Sequence, residues 1–385
     1  MLNVSRFGIR PDKTLGRFYE TESDKFRNNY QRDVGRIIHS TAFRRLKYKT
    51  QVFVNHEGDH FRTRLTHTLE VSQIARSISR YFKLNEDLTE AIALAHDLGH
   101  TPFGHAGEDA LIKASGSYFD HNDQSFRIVT FLEKAYSSFD GLNLTWETLE
   151  GIAKHNGPLK NINKNSSIFF FNENCMDLNL KTFPSLEAQI ASISDDIAYM
   201  NHDLDDGFRA GLFSSKDLNK LNFYKEIVKE YRLEPNSDRF KKELVRNLIN
   251  KMVVDLIIET EKNLQKIKPK NVNDIRNASF NIASFSTKMK RNISEIRFFL
   301  NKKMYNHKTV SVKTKKYKKI IEILYQQYSN NKVDIPLKWI KETYSKMPSS
   351  VQFGTADFKV NKKQMIIDYI SGMTDRYILK IYNKK

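Results

Sequence analysis

Apolar residues recur at helical spacing along most of the chain, and this pattern limits the possible folds more than any other feature. At 65–82 and again at 185–203, large apolar side chains return every three to five residues, close to the period of an α-helix. We therefore predict an all-α fold, with a Lys/Asn-rich loop or small hairpin at 157–184. The other segments with helical spacing are 88–98, 125–136, 146–155, 236–268, 283–305, 334–344 and 362–382.

The composition narrows the class of protein. A length of 385 residues suits one large core with appended subdomains, or two domains, and 39% apolar residues are enough for a buried core. The single cysteine, Cys175, cannot form an internal disulfide, which favours a reducing compartment. The N-terminus lacks an apolar signal segment, and the longest apolar run, 91–95, is far shorter than the ~18 residues that span a bilayer. We therefore expect a cytoplasmic protein that does not enter a membrane.

The net charge of +18 is unevenly distributed. Residues 81–210 contain 9 Lys/Arg against 20 Asp/Glu, whereas residues 211–385 contain 38 against 17, and ten of the 11 histidines lie between His39 and His202. An acidic, histidine-rich middle suits a divalent cation. The basic flanks suit a polyanion such as a nucleotide or a nucleic acid, although a solvated surface also explains the Lys-rich run at 313–319.

Histidine and aspartate recur in four short motifs. His100 lies four residues after His96 on one helical face, so both side chains can reach one cavity. A His-Asp pair alone is a weak signal, because a pair that caps a helix end explains it equally well. Its combination with an earlier histidine on a helix and a downstream Asp-Asp is more specific and favours a metal centre. The motifs are RTRLTH (62–67), HDLGHTPFGH (96–105), HNDQ (121–124) and DDIAY (195–199).

The arrangement H…HD…D resembles the HD-domain metal phosphohydrolases. More narrowly, the chain is similar to the bacterial deoxyguanosinetriphosphate triphosphohydrolase (dGTPase)-like family, densely from about residue 30 to 215 and more thinly at the C-terminus. The resemblance implies an HD-domain helical core with an N-terminal extension at 1–215. It also implies an additional basic helical C-terminal subdomain at 216–385, which completes the nucleotide pocket and the oligomer contacts. The matching segments are AFRRLKYKTQVF, GDHFRTRLTHTLEVSQIARSI, ALAHDLGHTPFGHAGE, GLNLTWETLEGIAKH, SLEAQIASISDDIAY, NHDLDDGFRAG and SGMTDRYILKIY.

The resemblance implies a single divalent metal with four protein ligands. Asp196 competes with Asp195 for the fourth position, and we favour Asp195 because Tyr199 then follows at i+4 on the same helix face. Two imidazoles and two carboxylates do not by themselves select one ion. We expect Mn²⁺ or Mg²⁺, with Fe²⁺ or Zn²⁺ as alternatives. The implied ligands are His67, His96, Asp97 and Asp195.

Three further histidines are implied to act on the phosphates. His121 matches the family histidine proposed as the general acid for the leaving group, and the near-neutral pKa of a histidine suits that task. His100 and His105 line the same pocket in related enzymes, where they would contact phosphates or position water. A structural histidine bonded to the backbone remains the alternative for both of them.

Four residues are implied to bind the substrate. Arg64, one helical turn before His67, would contact the α-phosphate, which a guanidinium recognises well. Gln51 and Asp203 would hold the 3′-hydroxyl. Tyr199 would pack under C2′ and exclude a ribose 2′-hydroxyl, with ordinary core packing as the alternative.

We therefore predict a metal-dependent enzyme that hydrolyses a deoxynucleoside triphosphate (dNTP), dGTP or a similar one, to a deoxynucleoside and tripolyphosphate. Another HD-domain nucleotidase or phosphodiesterase is one alternative. A regulatory protein that binds nucleotides or single-stranded nucleic acid is the other, because the basic C-terminal region carries several tyrosines. The resemblance also implies a homo-oligomer and allows an activating nucleotide or single-stranded DNA as a partner. The tyrosines are Tyr305, Tyr317, Tyr325 and Tyr328.

Overall fold

The computed structural model describes residues 4–51, 61–235, 237, 239–344 and 362–383, and these ranges contain helices but no β-strand. The all-α prediction is therefore confirmed. The helices are α1 (Asn29–Ile38), α2 (Thr41–Arg45), α3 (Arg64–Tyr81), α4 (Glu86–Ala95), α5 (His105–Ser115), α6 (His121–Arg127), α7 (Trp146–Ala153), α8 (Ser167–Asn174), α9 (Leu186–Arg209), α10 (Ser215–Leu218), α11 (Asn222–Glu230), α12 (Phe240–Ile267), α13 (Val272–Arg276), α14 (Thr287–Leu300), α15 (Lys308–Ser329), α16 (Leu337–Tyr344), α17 (Lys362–Ser371) and α18 (Asp375–Asn383).

Two predicted segments differ in kind from the structure, and two others differ in their bounds, since 125–136 is helical from His121 to Leu132 and 185–203 continues to Arg209. The expected loop or hairpin at 157–184 contains helix α8, because Ser166 caps its first turn and the Asp123 carboxylate accepts hydrogen bonds from the backbone amides of Ser167 and Ile168. The Asp123 contact comes from another part of the chain, so local sequence does not reveal it. The expected single helix at 362–382 is two helices, since α17 ends at Ser371 and a short turn precedes α18.

α4 lies at the centre of the N-terminal half of the fold. It packs against α1, α3, α7 and α9, and every residue from Ala91 to Ala95 is at most 1% exposed. A helix covered on all sides needs small or apolar side chains on every face, which explains why these residues form the longest apolar run in the chain. Asn85 caps the helix by accepting a hydrogen bond from Leu88 N. Because α4 ends at Ala95, the following His96 and Asp97 emerge inside the protein.

Gly99 allows α6 to approach the end of α4 closely. A Cβ atom at Gly99 would lie 2.2 Å from both His121 O and Ser125 N, so a larger residue would force the backbone to move. The Ser125 hydroxyl accepts a hydrogen bond from Gly99 N and donates one to His96 O, each at 2.8 Å. These contacts hold the first turn of α6 beside the residues that follow α4.

The C-terminal helices pack onto the N-terminal half. α15 packs against both α5 and α17, and one apolar cluster joins them. A larger cluster joins α3, α4 and α9 to α12 and α14, so apolar contacts continue across the predicted boundary at residue 215. The division into two domains stays a prediction. Within the described ranges, no helix combines the length and apolarity needed to cross a membrane.

Candidate active site

Two histidines and two aspartates converge where α3, α9 and the turn after α4 meet. His67 Nε2 lies 2.9 Å from Asp195 Oδ1, and His96 Nε2 lies 3.7 Å from the same oxygen. His96 Nε2 is also 3.6 Å from Asp97 Oδ1. Asp196, the competing candidate, turns away from this cluster and contacts Arg297 on the protein surface. The four residues expected to bind a metal are thus neighbours in space.

Hydrogen bonds determine which nitrogen each histidine directs at the cluster. His96 Nδ1 lies 2.7 Å from Ala93 O, which can only accept, so Nδ1 carries the proton and Nε2 presents a lone pair. His67 Nδ1 lies 3.2 Å from His202 Nδ1, and His202 Nε2 lies 2.8 Å from Glu70 Oε2. Because Glu70 accepts from His202 Nε2–H, His202 Nδ1 can accept from the Nδ1–H of His67. Burial disfavours a charged His67, but the contact with Asp195 outweighs it and raises the pKa of His67. In the neutral form of His67, Nδ1 keeps its proton and the lone pair on Nε2 can bind a cation.

The donor set fits a divalent cation. Donor atoms bound to one ion at about 2.1 Å lie about 3.0–3.4 Å apart, and three of the separations in this cluster are 2.9, 3.6 and 3.7 Å. One donor atom each of His67, His96 and Asp97 lie within 4.8 Å of one another. His96 Nε2 and Asp97 Oδ2 are buried without a hydrogen-bond partner among the described residues, which is costly unless a ligand satisfies them. Burial lowers the pKa of His96 and keeps it neutral. Although burial opposes ionisation of Asp97, the charge of Arg64 holds its pKa well below the usual range.

A second group of histidines lies beside the cluster. His100 Nε2 is 3.1 Å from Asp97 Oδ1, and the rings of His100 and His121 stack with centroids 4.0 Å apart. His121 Nδ1 lies 3.0 Å from Glu108 Oε2. Burial disfavours a charged His121, but the bond to Glu108 outweighs it and raises the pKa of His121. Burial and the charge of Arg64 lower the pKa of His100 well below its usual range, so that ring is neutral.

His105 is the exposed member of this group. It opens α5, and its ring centroid lies 5.3 Å from that of His100 and 5.6 Å from that of His121. The preceding Gly104 has φ +58°, a left-handed conformation that favours glycine. A Cβ atom there would lie 2.9 Å from Arg64 Nη2, so glycine also leaves space for the guanidinium.

Tyr199 and Asp203 lie on one face of α9 and meet Tyr305 from the C-terminal half. The Tyr305 hydroxyl donates to Asp203 Oδ2 and lies 2.8 Å from the Tyr199 hydroxyl. Asp203 is fully buried, its Oδ1 has no partner among the described residues, and burial raises its pKa to about 7. An unsatisfied carboxylate oxygen beside two hydroxyl groups suits the hydroxyl group of a ligand.

Arg64 and Gln51 contribute buried polar atoms to the same region. Arg64 is 2% exposed and donates from Nη1 to Asp97 Oδ1 at 3.0 Å. Gln51 is 8% exposed, and its Oε1 has no partner among the described residues. The backbone of Gln51 lies beside the start of α5, since Gln51 O is 3.7 Å from the position of a Cβ atom at Gly104.

Sequence reasoning missed four residues of this site. His155 Nε2 lies 3.5 Å from Asp195 Oδ2, although no local spacing marks it. Two of the others had a visible signal: Glu108 follows His105 by about one helical turn, and His202 follows Asp195 by about two turns. Tyr305 is distant in sequence from its partners and was considered only as an aromatic residue in a basic region. The missed residues are Glu108, His155, His202 and Tyr305.

A helical core that gathers a histidine, an adjacent His-Asp pair and a downstream aspartate at one buried point defines the class of HD-domain phosphohydrolases. The sequence model of the HD domain matches residues 64–200. The model of the Phosphohydrolase-associated domain matches residues 283–384.

Relatives cover almost the whole chain. A Deoxyguanosinetriphosphate triphosphohydrolase-like protein of Rickettsia rickettsii (strain Iowa) is 44% identical over 391 aligned residues, which cover 99% of this chain and 97% of the relative. A protein of the same description from Bartonella quintana (strain Toulouse) is 46% identical over 388 residues, covering 98% and 94%. The chain therefore belongs to the deoxyguanosinetriphosphate triphosphohydrolase-like family, and the predicted family is confirmed.

Proposed function

We propose that the protein is a metal-dependent dNTP triphosphohydrolase, which converts a dNTP and water to a deoxynucleoside and tripolyphosphate. We call the proposed cation ligands His67, His96, Asp97 and Asp195 the metal cluster. The observation that carries this proposal is a series of contacts from this cluster to a histidine that can be protonated. Asp97 contacts His100, the ring of His100 stacks on His121, and His121 contacts Glu108. A cation site and a proton donor are therefore adjacent, as hydrolysis of a phosphate ester requires.

A divalent cation is the implied cofactor. His67, His96, Asp97 and Asp195 would hold it, and we expect Mn²⁺ or Mg²⁺, with Fe²⁺ or Zn²⁺ compatible with the same donors. When bound, such an ion supplies Lewis-acid stabilisation of the charge that develops on an α-phosphate oxygen.

His121 is proposed to protonate the leaving group. The oxygen of one water forms a new bond to the α-phosphorus and the water gives up a proton, the bond from phosphorus to the 5′-oxygen breaks, and the 5′-oxygen takes the proton of His121. The proton that the water releases to solvent balances the one that His121 takes up again before the next turnover. The raised pKa of His121 keeps that proton in place near neutral pH. Glu108 stabilises the charged imidazolium before the transfer, at the distance of 3.0 Å described above.

Neutral and cationic side chains around this pair are proposed to bind the phosphates. Asp97 accepts from the Nε2–H of neutral His100, so the buried Nδ1, which has no partner among the described residues, is an acceptor available to the attacking water. His105 is accessible on the rim. Arg64 would bind the α-phosphate, since its guanidinium Nε is buried and has no partner there.

The sugar is proposed to bind between α9 and the end of α14. Asp203 would accept the hydrogen bond of the 3′-hydroxyl and Gln51 would contact the same group, because each has a buried acceptor oxygen without a partner among the described residues. Tyr199 would lie against C2′ and exclude ribose. The Tyr305 hydroxyl, which donates to Asp203, would give that bond up or share it when a sugar binds.

Product analysis with isotopic water tests the proposal. Each of the four dNTPs and GTP is incubated with the protein and Mn²⁺ or Mg²⁺ in H₂¹⁸O, and the products are identified by mass spectrometry. We expect tripolyphosphate that carries the ¹⁸O label and an unlabelled deoxynucleoside. Release of a monophosphate or of pyrophosphate would instead identify another kind of HD-domain nucleotidase or phosphodiesterase.

The regulatory alternative loses part of its support. Tyr325 and Tyr328 are 4% exposed, Tyr317 stacks on Phe103 with centroids 4.3 Å apart, and Tyr305 contacts Asp203. Tyr325 and Tyr328 are buried, and Tyr305 and Tyr317 are half-buried against other side chains, so the four rings do not form an exposed surface on which bases could stack. A homo-oligomer and an activating nucleotide or single-stranded DNA remain predictions. Binding of an oligonucleotide that weakens steeply with salt would support the nucleic-acid partner.

A further inference from the structure

The turn between the last two helices contacts every segment that carries a proposed catalytic histidine. We define the C-terminal corner as residues 368–375, which join the end of α17 to the start of α18. Residues 371–375 of the corner belong to the motif SGMTDRYILKIY, for which the proposed chemistry supplies no role. None of its side chains belongs to the metal cluster or to the proposed substrate contacts.

Asp375 joins the corner to two loops at once. Its Oδ2 accepts hydrogen bonds from Thr50 N, at 2.9 Å, and from the Thr50 hydroxyl. Its Oδ1 accepts from Phe103 N at 3.0 Å. Asp375 is 1% exposed, so these three hydrogen bonds replace those that water would make to its carboxylate. One carboxylate therefore fixes the distance between the segment that leads into Gln51 and the loop between His100 and His105.

Lys49 crosses the same interface from the other side. Its amino group donates to His100 O and, at 3.0 Å, to Ser371 O, and the side chain is 1% exposed. Burial lowers the pKa of Lys49 to about 7, and the two carbonyl oxygens satisfy the buried amino group only where their positions are fixed. Lys49 O also accepts from Arg64 N at 3.2 Å, which connects the same residue to the start of α3.

The corner also contacts α6. Gln124 Nε2 donates to Asp368 Oδ1 at 3.1 Å and to the Ser371 hydroxyl at 3.2 Å. Gln124 lies one turn after His121 on the same short helix. Arg127 makes a buried ion pair with Asp368, with Nη2 at 2.8 Å from Oδ2. The corner therefore fixes α6 as well as the loop after His100.

We propose that the C-terminal corner positions the histidine pair His100 and His121, with Asp375 and Lys49 as positioning residues. Its contacts reach His100 through the backbone carbonyl and His121 through Gln124. They do not include the ligand side chains His67 and His96. The inference rests on the proposed function, because it assigns these histidines to catalysis. Misplacement of a reacting group by about 1 Å can cost on the order of 100-fold in rate, so such a device affects turnover.

The test compares a strong variant, a mild pair and a control. Asp375→Ala removes all three acceptor contacts. Thr50→Val removes one hydroxyl at nearly constant volume, and Thr50→Ser keeps that hydroxyl. Lys380→Ala, on the exposed face of α18, is the control. For each full-length variant we would measure kcat for the active dNTP, bound Mn²⁺, thermal unfolding, and the ¹⁵N resonances of the histidine side chains in the metal-free protein.

We expect Asp375→Ala to lower kcat about 10- to 100-fold with an unchanged Mn²⁺ content, and to shift the resonances of His100 and His121. Thr50→Val should show a smaller loss in the same direction, Thr50→Ser should restore most of it, and Lys380→Ala should match the wild type. Unshifted resonances with kcat within twofold of wild type would overturn the inference. Loss of Mn²⁺ in proportion to activity would also overturn it, since the corner would then support the metal cluster.

The same measurements separate the inference from the proposed function. If Asp375→Ala does not fold, the comparison of Thr50→Val with Thr50→Ser decides the matter. If the wild-type protein hydrolyses no dNTP, the proposed function fails. The resonances of His100 and His121 would still show whether the corner positions them, because they are recorded without metal and without substrate.

Discussion

His121 Nδ1 lies 3.0 Å from Glu108 Oε2, which connects the first turn of α6 to the first turn of α5. Burial alone would lower the pKa of His121, but the contact with Glu108 outweighs burial and raises it. A histidine whose pKa is raised in this way keeps its proton as the pH rises through neutrality. The pair is therefore suited to donate a proton to a leaving group.

Glu108→Gln should lower kcat and change its pH dependence. The variant removes the charge that stabilises the imidazolium, so the pKa of His121 falls and the protonated form is lost at lower pH. We expect the alkaline limb of the kcat profile to move to lower pH, with a loss on the order of 10-fold at neutral pH. His121→Ala should cost about 10²–10⁴ at pH values where the wild-type His121 is protonated, should cost less above that range, and should leave metal binding intact.

Asp109→Asn is the matched control for Glu108. Asp109 is the next residue of α5, but its side chain is 62% exposed and contacts Lys318 on the surface. It should leave the pH profile of kcat unchanged. If Glu108→Gln lowers kcat without moving the alkaline limb, Glu108 does not set the pKa of His121, and another group supplies the proton.

His202→Phe should weaken metal binding. His202 accepts the Nδ1 proton of neutral His67 and so fixes the ring with Nε2 toward the cluster. Partners of this kind typically contribute 10- to 100-fold to metal affinity, and we expect a loss in that range for Mn²⁺ measured by calorimetry. Glu70→Gln should have a smaller effect, because the amide oxygen of glutamine still accepts from His202. An unchanged Mn²⁺ affinity in His202→Phe would exclude this orienting role.

Much of the fold was predictable because apolar spacing is a local property. Helices α3, α4 and α7 begin and end within three residues of their predicted bounds, and α9 begins where expected but continues to Arg209. Helix α8 was missed because its first turn depends on Asp123, a partner more than forty residues away in sequence. The break between α17 and α18 was missed for a similar reason, since its contacts with Thr50 and Phe103 are long-range.

The candidate site divides in the same way. The motif His96-Asp97 and the helical spacing of Tyr199 and Asp203 are visible in the sequence, and the structure brings these residues together with His67. Tyr305 comes from a different half of the chain, so its contact with Asp203 depends on how α14 packs against α9. A contact between residues that are distant in sequence has no regular spacing, so a single sequence does not predict it.

Tyr199→Ala should reduce discrimination against ribose. If Tyr199 lies against C2′, its removal opens space for a 2′-hydroxyl, and we expect the ratio of kcat/KM for GTP to that for dGTP to rise about 10-fold or more. Tyr305→Phe keeps the second ring but removes the hydroxyl that contacts Asp203, so it should change KM for both nucleotides without changing their ratio. Equal activity of the wild type on GTP and dGTP would refute the sugar roles of Tyr199 and Asp203.

Asp123→Asn should change the pH dependence of stability. Asp123 caps α8, and burial raises its pKa to about 6, above the ordinary 3.8 of an unfolded chain. The folded state therefore holds the proton more tightly, so this group's contribution to stability is full below pH 3.8 and is lost as the pH rises through 6. The loss amounts to about 3 kcal/mol, at 1.36 kcal/mol for each pH unit between the two values.

Asparagine cannot ionise, but it loses one acceptor for the α8 amides at every pH. The free energy of unfolding of the variant minus that of the wild type should therefore increase between pH 4 and pH 7, in urea titrations at one metal concentration. A difference that does not vary with pH would show that Asp123 is not held protonated by its burial.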